Sequence, residues 1–231
     1  HTPPFHLIKV EHYEPAIREG MKEQNEEIDA IVNNAEKPNF QNTIVALERS
    51  GSLLERVTTI FGNLLSAETN DEMQELAEKM MPLLAEHNNS ISLNEKLFAR
   101  IKAVYDRKDQ LTLNGEDSML LQKTYDGFIR SGANLQGEAK EKYRRLNTEL
   151  SVLALRFSQN LPKETNNYEL SLTTSQLEGL PESMLESYAQ TAKEKGKEGN
   201  IITLDAPSFV PFMKYCKDRT LRQQLYMAYN T

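Results

Sequence analysis

The chain has 231 residues and a net charge of −7, from 34 acidic against 27 basic residues. Its Lys and Arg form no cluster, which speaks against nucleic acid and anionic membrane as partners, because both demand concentrated positive charge. The length suffices for one large core or two modest ones, the lone Cys216 permits no internal disulfide, and no apolar run approaches the roughly 20 residues of a membrane span.

In chain order the periodicity is helical almost throughout. Pro15 suits a first helical turn, and Ile17, Met21, Ile28 and Ile31 share a face up to about Asn33. Residues 35–39 read as a connection. A second helix is expected from about Asn42 or Thr43, with Ile44, Leu47, Gly51, Leu54, Val57, Phe61 and Leu64 on one stripe. Gly51 on that stripe suits either a close helix approach or a tolerated glycine. A third helix follows Thr69-Asn70-Asp71 and carries Met73, Leu76, Met80 and Leu84, with a kink expected at Pro82. Ser92 and Glu95 have capping-box spacing ahead of Leu97, Ile101 and Val104. Another helix spans about Glu116 to Arg130 and closes at Ser131-Gly132.

The most regular pattern is Ala139, Tyr143, Leu146, Leu150, Leu153 and Phe157, spaced 4-3-4-3-4. It predicts a buried seam packed against a sister helix, too short for an intermolecular coiled coil. Tyr168 to Leu172 alternates apolar and polar, and Asn200 to Leu204 is rich in β-branched residues, so both read as strands around a helix of about Pro181 to Lys195 closed by Gly196. Helix resumes after Asp205, interrupted by Pro207 and Pro211. The fold class expected is mainly α, a multi-helix antiparallel bundle-like domain over 1–165, followed by 166–231 with a small two-stranded β element near 168–204. The last run, Leu221, Leu225, Ala228 and Tyr229 behind Asp218, reaches Thr231 with no stop signal, and the chain opens at His1 without Met. Both ends suggest a piece of a longer protein.

Candidate chemistry is sparse. The histidines are His1, His6, His12 and His87, and none forms an H-x-x-x-H pair, the spacing that sets two imidazoles on one helix face for zinc. His12, between Glu11 and Glu14, reads as a helix-entry residue beside Tyr13. His87 reads as a boundary residue with a satisfied ring. Cys216 has Lys214 and Lys217 beside it, which favour a thiolate, but no histidine near in sequence, so it reads as structural. Phosphate-binding glycine loops and G-x-S-x-G are absent, and pairs such as Glu26-Glu27 and Asp71-Glu72 read as solvated charge. No catalytic, cofactor-binding or metal residue is therefore assigned.

Several blocks carry a resemblance. Phe5-His6-Leu7-Ile8-Lys9-Val10-Glu11-His12-Tyr13-Glu14-Pro15-Ala16 and, most specifically, Pro38-Asn39-Phe40-Gln41-Asn42-Thr43-Ile44-Val45-Ala46-Leu47-Glu48 are similar to the N-terminal part of bacterial peptidyl-dipeptidases, or dipeptidyl carboxypeptidases. Arg144-Arg145-Leu146-Asn147-Thr148-Glu149-Leu150, Lys163-Glu164-Thr165-Asn166 and Pro207-Ser208-Phe209-Val210-Pro211-Phe212-Met213 continue it in order. These enzymes belong to the thimet-oligopeptidase family of zinc metallopeptidases. The resemblance implies a full-length protein that releases dipeptides from the C-terminus of short peptides. It also implies a zinc held by an H-E-x-x-H helix and a further glutamate, none of them present in residues 1 to 231. It implies that this chain walls one side of a substrate channel, is inactive alone and binds no zinc, with the catalytic half of the same polypeptide as its partner. A stand-alone helical interaction module, and a dead relative ending near Thr231, are the other readings. Bacterial cytoplasm and periplasm both stay open.

Overall fold

A computed structural model of the chain describes residues 3–230; His1 and Thr231 lie outside them. The mainly α expectation is borne out, with one two-stranded antiparallel sheet among the described residues. The chain divides into two compact units, 1–155 and 156–231.

In the first unit, helix α1 (Tyr13–Val32) buries Ile17, Ile28 and Ile31 as its 3.6-residue period requires. The expected second helix is broken. A π-helical stretch, Phe40–Val45, and a single turn, α2 (Ala46–Arg49), end at Ser50, and α3 (Ser52–Ala67) starts anew. Gly51 sits between them at φ 74, a left-handed conformation that a side chain resists. The close approach belongs to Gly20 instead: a Cβ there would lie 2.8 Å from Leu54 Cα, so its missing side chain lets α1 and α3 touch backbone to backbone.

Helix α4 (Asp71–Ser92) runs on through Pro82. Helix α5 (Glu95–Tyr105) is capped by Asn94, whose side chain accepts the Leu97 N–H, so the Ser92 cap expected from spacing is corrected: Ser92 ends the preceding helix. Helix α6 (Gly115–Arg130) follows as expected and ends at Ser131, with Gly132 at φ 80.

Two clusters hold this unit. One joins Tyr13, Ile17, Leu54, Phe61, Met73, Ala77 and Met80. The other joins Ile28, Ile31, Phe40, Ile44, Leu97, Ile101, Val104 and Leu121. Burial of this apolar area is the main stabilising term, at about 25 cal/mol per Å².

Helix α7 (Gly137–Asn167) begins in the first unit and ends in the second. In the second unit, β1 (Leu170–Leu172) pairs antiparallel with β2 (Asn200–Ile202), Ser171 opposite Ile201, and α8 (Glu182–Glu194) connects them. Helices α9 (Ala206–Tyr215) and α10 (Arg219–Asn230) complete it. Leu170, Leu172, Tyr188, Ile202, Phe212, Leu221 and Leu225 form its core. Asp218 accepts the Thr220 and Leu221 N–H groups, confirming it as the cap of α10.

Candidate functional site

Three of the residues singled out for chemistry, His12, His87 and Cys216, are each engaged in local structural contacts. The Nδ1 of His12 accepts the Lys9 N–H at 3.2 Å, which shapes the turn entering α1, and the next residue, Tyr13, packs its ring 5.1 Å from Phe61. His87 is a core residue rather than a boundary one, at 4% exposure. Its ring N–H donates to Gln24 Oε1 at 2.7 Å, and burial holds its pKa below the ordinary histidine value. Cys216 is buried, and that burial pushes its thiol pKa up, outweighing the opposing pull of its hydrogen bond to the Asp218 backbone and of Arg222. Beside it, burial raises the Tyr188 phenol to about 12 while its hydroxyl donates to the Ser208 carbonyl.

Carboxylates with lowered pKa owe it to hydrogen-bonded basic side chains: Glu14 to Lys79 and then Arg18, Glu169 to Lys197 and then Lys195. No group of three or more His, Cys, Asp or Glu that could hold a metal occurs among the described residues. His12 and His87 are held by different contacts and Cys216 is shut into a core, so these three described side chains do not converge on a metal.

The segment around Asn39, the most specific block of the resemblance, serves the fold. Asn39 and Asn42 cap each other reciprocally at 2.8 Å. Arg100 donates to the carbonyl of Asn34 at 2.8 Å, and Arg107 to that of Pro38, so two α5-side guanidinium groups tie down the connection after α1. Thr43 and Ile44 are fully buried. Sequence order carried the likeness here; the chemistry is packing.

What stands open is surface. The seam expected to be core is not: Leu146, Leu150 and Leu153 are 51%, 63% and 52% exposed, and Phe157 and Leu161 of the same helix are more than half exposed. The face of α7 that packs in the first unit buries Leu155 in the cluster of Tyr13 and Phe61 and is otherwise largely polar. Asn147 donates to Asn89 Oδ1 at 2.6 Å, Asn89 reaches Thr148 and the Arg144 carbonyl, and Arg144 and Lys140 pair with Glu86 and Glu95. Asn89 is fully buried, so losing these partners costs about 1–3 kcal/mol. Polar specificity outweighs the apolar stripe in setting which way α7 faces.

The second unit has an open groove of about 990 Å³ between the end of α7 (Phe157, Leu161, Glu164), Tyr168, the start of α9 (Asp205, Ala206) and the end of α10 (Ala228, Tyr229). The Tyr168 hydroxyl is buried there without a partner among the described residues. On α10, Leu221 and Leu225 are covered, whereas Tyr229 is half exposed and stacks on Phe209 at 4.0 Å. Exposed apolar surface therefore occurs both on α7 and at the end of α10, where Tyr226 and Met227 are also about half exposed. No periodic signal separates a seam that meets its own domain from one that meets something else.

The likeness read from the residue blocks is borne out. Dipeptidyl carboxypeptidase of Escherichia coli is 39% identical over 98% of this chain, and that of Salmonella typhimurium 38%. Oligopeptidase A of Escherichia coli is 30% identical over 99% of it. In each case the chain spans 34% of the relative's own length, about a third of the proteins it matches. No family model matches the chain.

Proposed function

We propose that this chain is the N-terminal third of a zinc metallopeptidase of the thimet-oligopeptidase family, whose full-length form releases dipeptides from the C-terminus of short peptides. The observation that carries this reading is the likeness over 98% of the chain to peptidases about three times its length. The higher identity to dipeptidyl carboxypeptidase, 39% against 30% for oligopeptidase A, favours dipeptide release.

In this reading residues 1–165 form a wall of the substrate channel, and 166–231 begin the next helical region. The zinc ligands and the water-activating glutamate come from polypeptide outside residues 1–231; the lack of a fitting cluster among the described residues supports this. Bound zinc supplies a water of near-neutral pKa. The contribution of the present residues is shape: a rigid helical surface that limits which peptides reach the chemistry. The partner is the catalytic half of the same polypeptide, and this piece alone is inactive.

The test is to incubate the full-length polypeptide with N-blocked tetrapeptides and identify products by mass spectrometry. A C-terminal dipeptide, lost on chelation and restored by zinc, is the expected outcome. Internal cuts without dipeptide release would favour oligopeptidase activity, and no hydrolysis would leave the helical interaction module as the better reading.

A further inference from the structure

We infer that the outward face of α7, from Leu146 to Leu161, is a docking seam for an α-helix supplied by the same polypeptide outside residues 1–231. The inference rests on the reading that the chain is part of a longer protein, and it adds where the rest attaches and in what form.

Leu146, Leu150, Leu153, Phe157 and Leu161 lie on one side of α7, each more than half exposed. The stripe is about 22 Å long at 1.5 Å per residue. The 4-3-4 spacing of Leu146, Leu150, Leu153 and Phe157, with Leu161 one turn further on, is the one that interlocks with another helix at a shallow crossing angle; a strand or an irregular loop has no matching repeat. Contiguous apolar surface of this kind is rare on an isolated soluble domain.

The exposure is enforced. Turning α7 to bury the stripe in the first unit would strip Asn89 of its contacts with Asn147, Thr148 and Arg144, and would break the Arg144–Glu86 and Lys140–Glu95 pairs. The polar face is therefore locked inward and the apolar face held out, as a preformed binding surface requires. The relatives supply an occupant, since the chain spans only 34% of their length. Charge narrows it further. Lys142, Glu149, Arg156 and Lys163 flank one side of the stripe, all exposed, three basic to one acidic. The partner helix should then carry apolar residues in a heptad pattern and acidic residues along the edge that meets this flank.

Thiol accessibility tests it. Leu150→Cys and Leu153→Cys are made in the 231-residue chain and in the full-length polypeptide, with exposed Glu116→Cys as control; the native Cys216 is buried. In the short chain all three thiols should react with maleimide at similar rates. In the full-length polypeptide those at 150 and 153 should slow by roughly 100-fold or more while the control is unchanged, as expected for a site reached only through local opening. Equal rates in both forms would overturn the inference. So would protection already present in the short chain with sedimentation as a dimer, since a second copy would then be the occupant. Because both positions are exposed, neither change should unfold the chain, and circular dichroism of each labelled sample checks this. The readout does not depend on catalysis: hydrolysis with an open Leu150 sinks the seam alone, and a shielded Leu150 without hydrolysis sinks the peptidase reading alone.

Discussion

Gly20 and Gly51 show how one residue type does two jobs. At Gly20 a Cβ would meet Leu54 backbone at 2.8 Å, and backbone cannot step aside as a side chain can. Gly20→Ala should therefore cost about 1–3 kcal/mol by overpacking, despite alanine's better helix propensity; a denaturant midpoint at or above wild type would refute the close approach. Sequence pattern pointed to Gly51 for this contact because it fell on an apolar stripe. Gly20 gave no signal, since an exposed helical glycine looks the same in a sequence as one beneath a neighbouring backbone. His87 makes a second prediction at this scale. Burial lowers its pKa in the folded chain, so between the folded value and the unfolded value near 6.5 the unfolded chain binds more protons. Its contribution is thus retained above about pH 6.5 and lost as pH falls below it. Urea midpoints at pH 7.5 and 5.5 should differ more for wild type than for His87→Gln; equal differences would show that His87 carries no pH dependence.

Helices were legible where an apolar stripe met ordinary caps: α1, α4, α6, α8 and α10 fall within a few residues of where periodicity puts them, and the two strands fall inside their expected spans. The failures have separate physical causes. Periodicity runs straight across Ser50-Gly51 because the stripe stays in phase, while the left-handed glycine breaks the backbone. At Ser92 the hydroxyl spacing suggested a cap, but Asn94 sits closer to the start of α5 and takes the Leu97 N–H. On α7 the pattern correctly placed Leu146, Leu150, Leu153 and Phe157 on one side, yet a period says which residues share a face and nothing about what that face meets. Exposure reverses the energetic expectation for that helix. In the 231-residue chain Leu150→Ala should change stability by less than about 0.5 kcal/mol. Leu97→Ala, at a fully buried site in α5, should cost about 2–5 kcal/mol. Comparable midpoints for the two variants would mean the faces of α7 are wrongly assigned.

At the scale of the whole molecule, the candidate chemistry could be read only through likeness. Local patterning offers four histidines with no shared spacing and one cysteine, and folding brings none of the described ones into a cluster. The ordered blocks, by contrast, pointed to dipeptidyl carboxypeptidases from residues that turn out to be structural, such as Asn39, Asn42 and Thr43. A family leaves its mark on packing as well as on catalysis, and these blocks are packing residues in this chain. The central claim is that the chain shapes a zinc peptidase without holding its metal. Metal analysis after dialysis, on the 231-residue chain beside the full-length polypeptide, tests it most directly. The account predicts no bound zinc in the short chain and one per full-length polypeptide; one tightly held zinc in the short chain would contradict it.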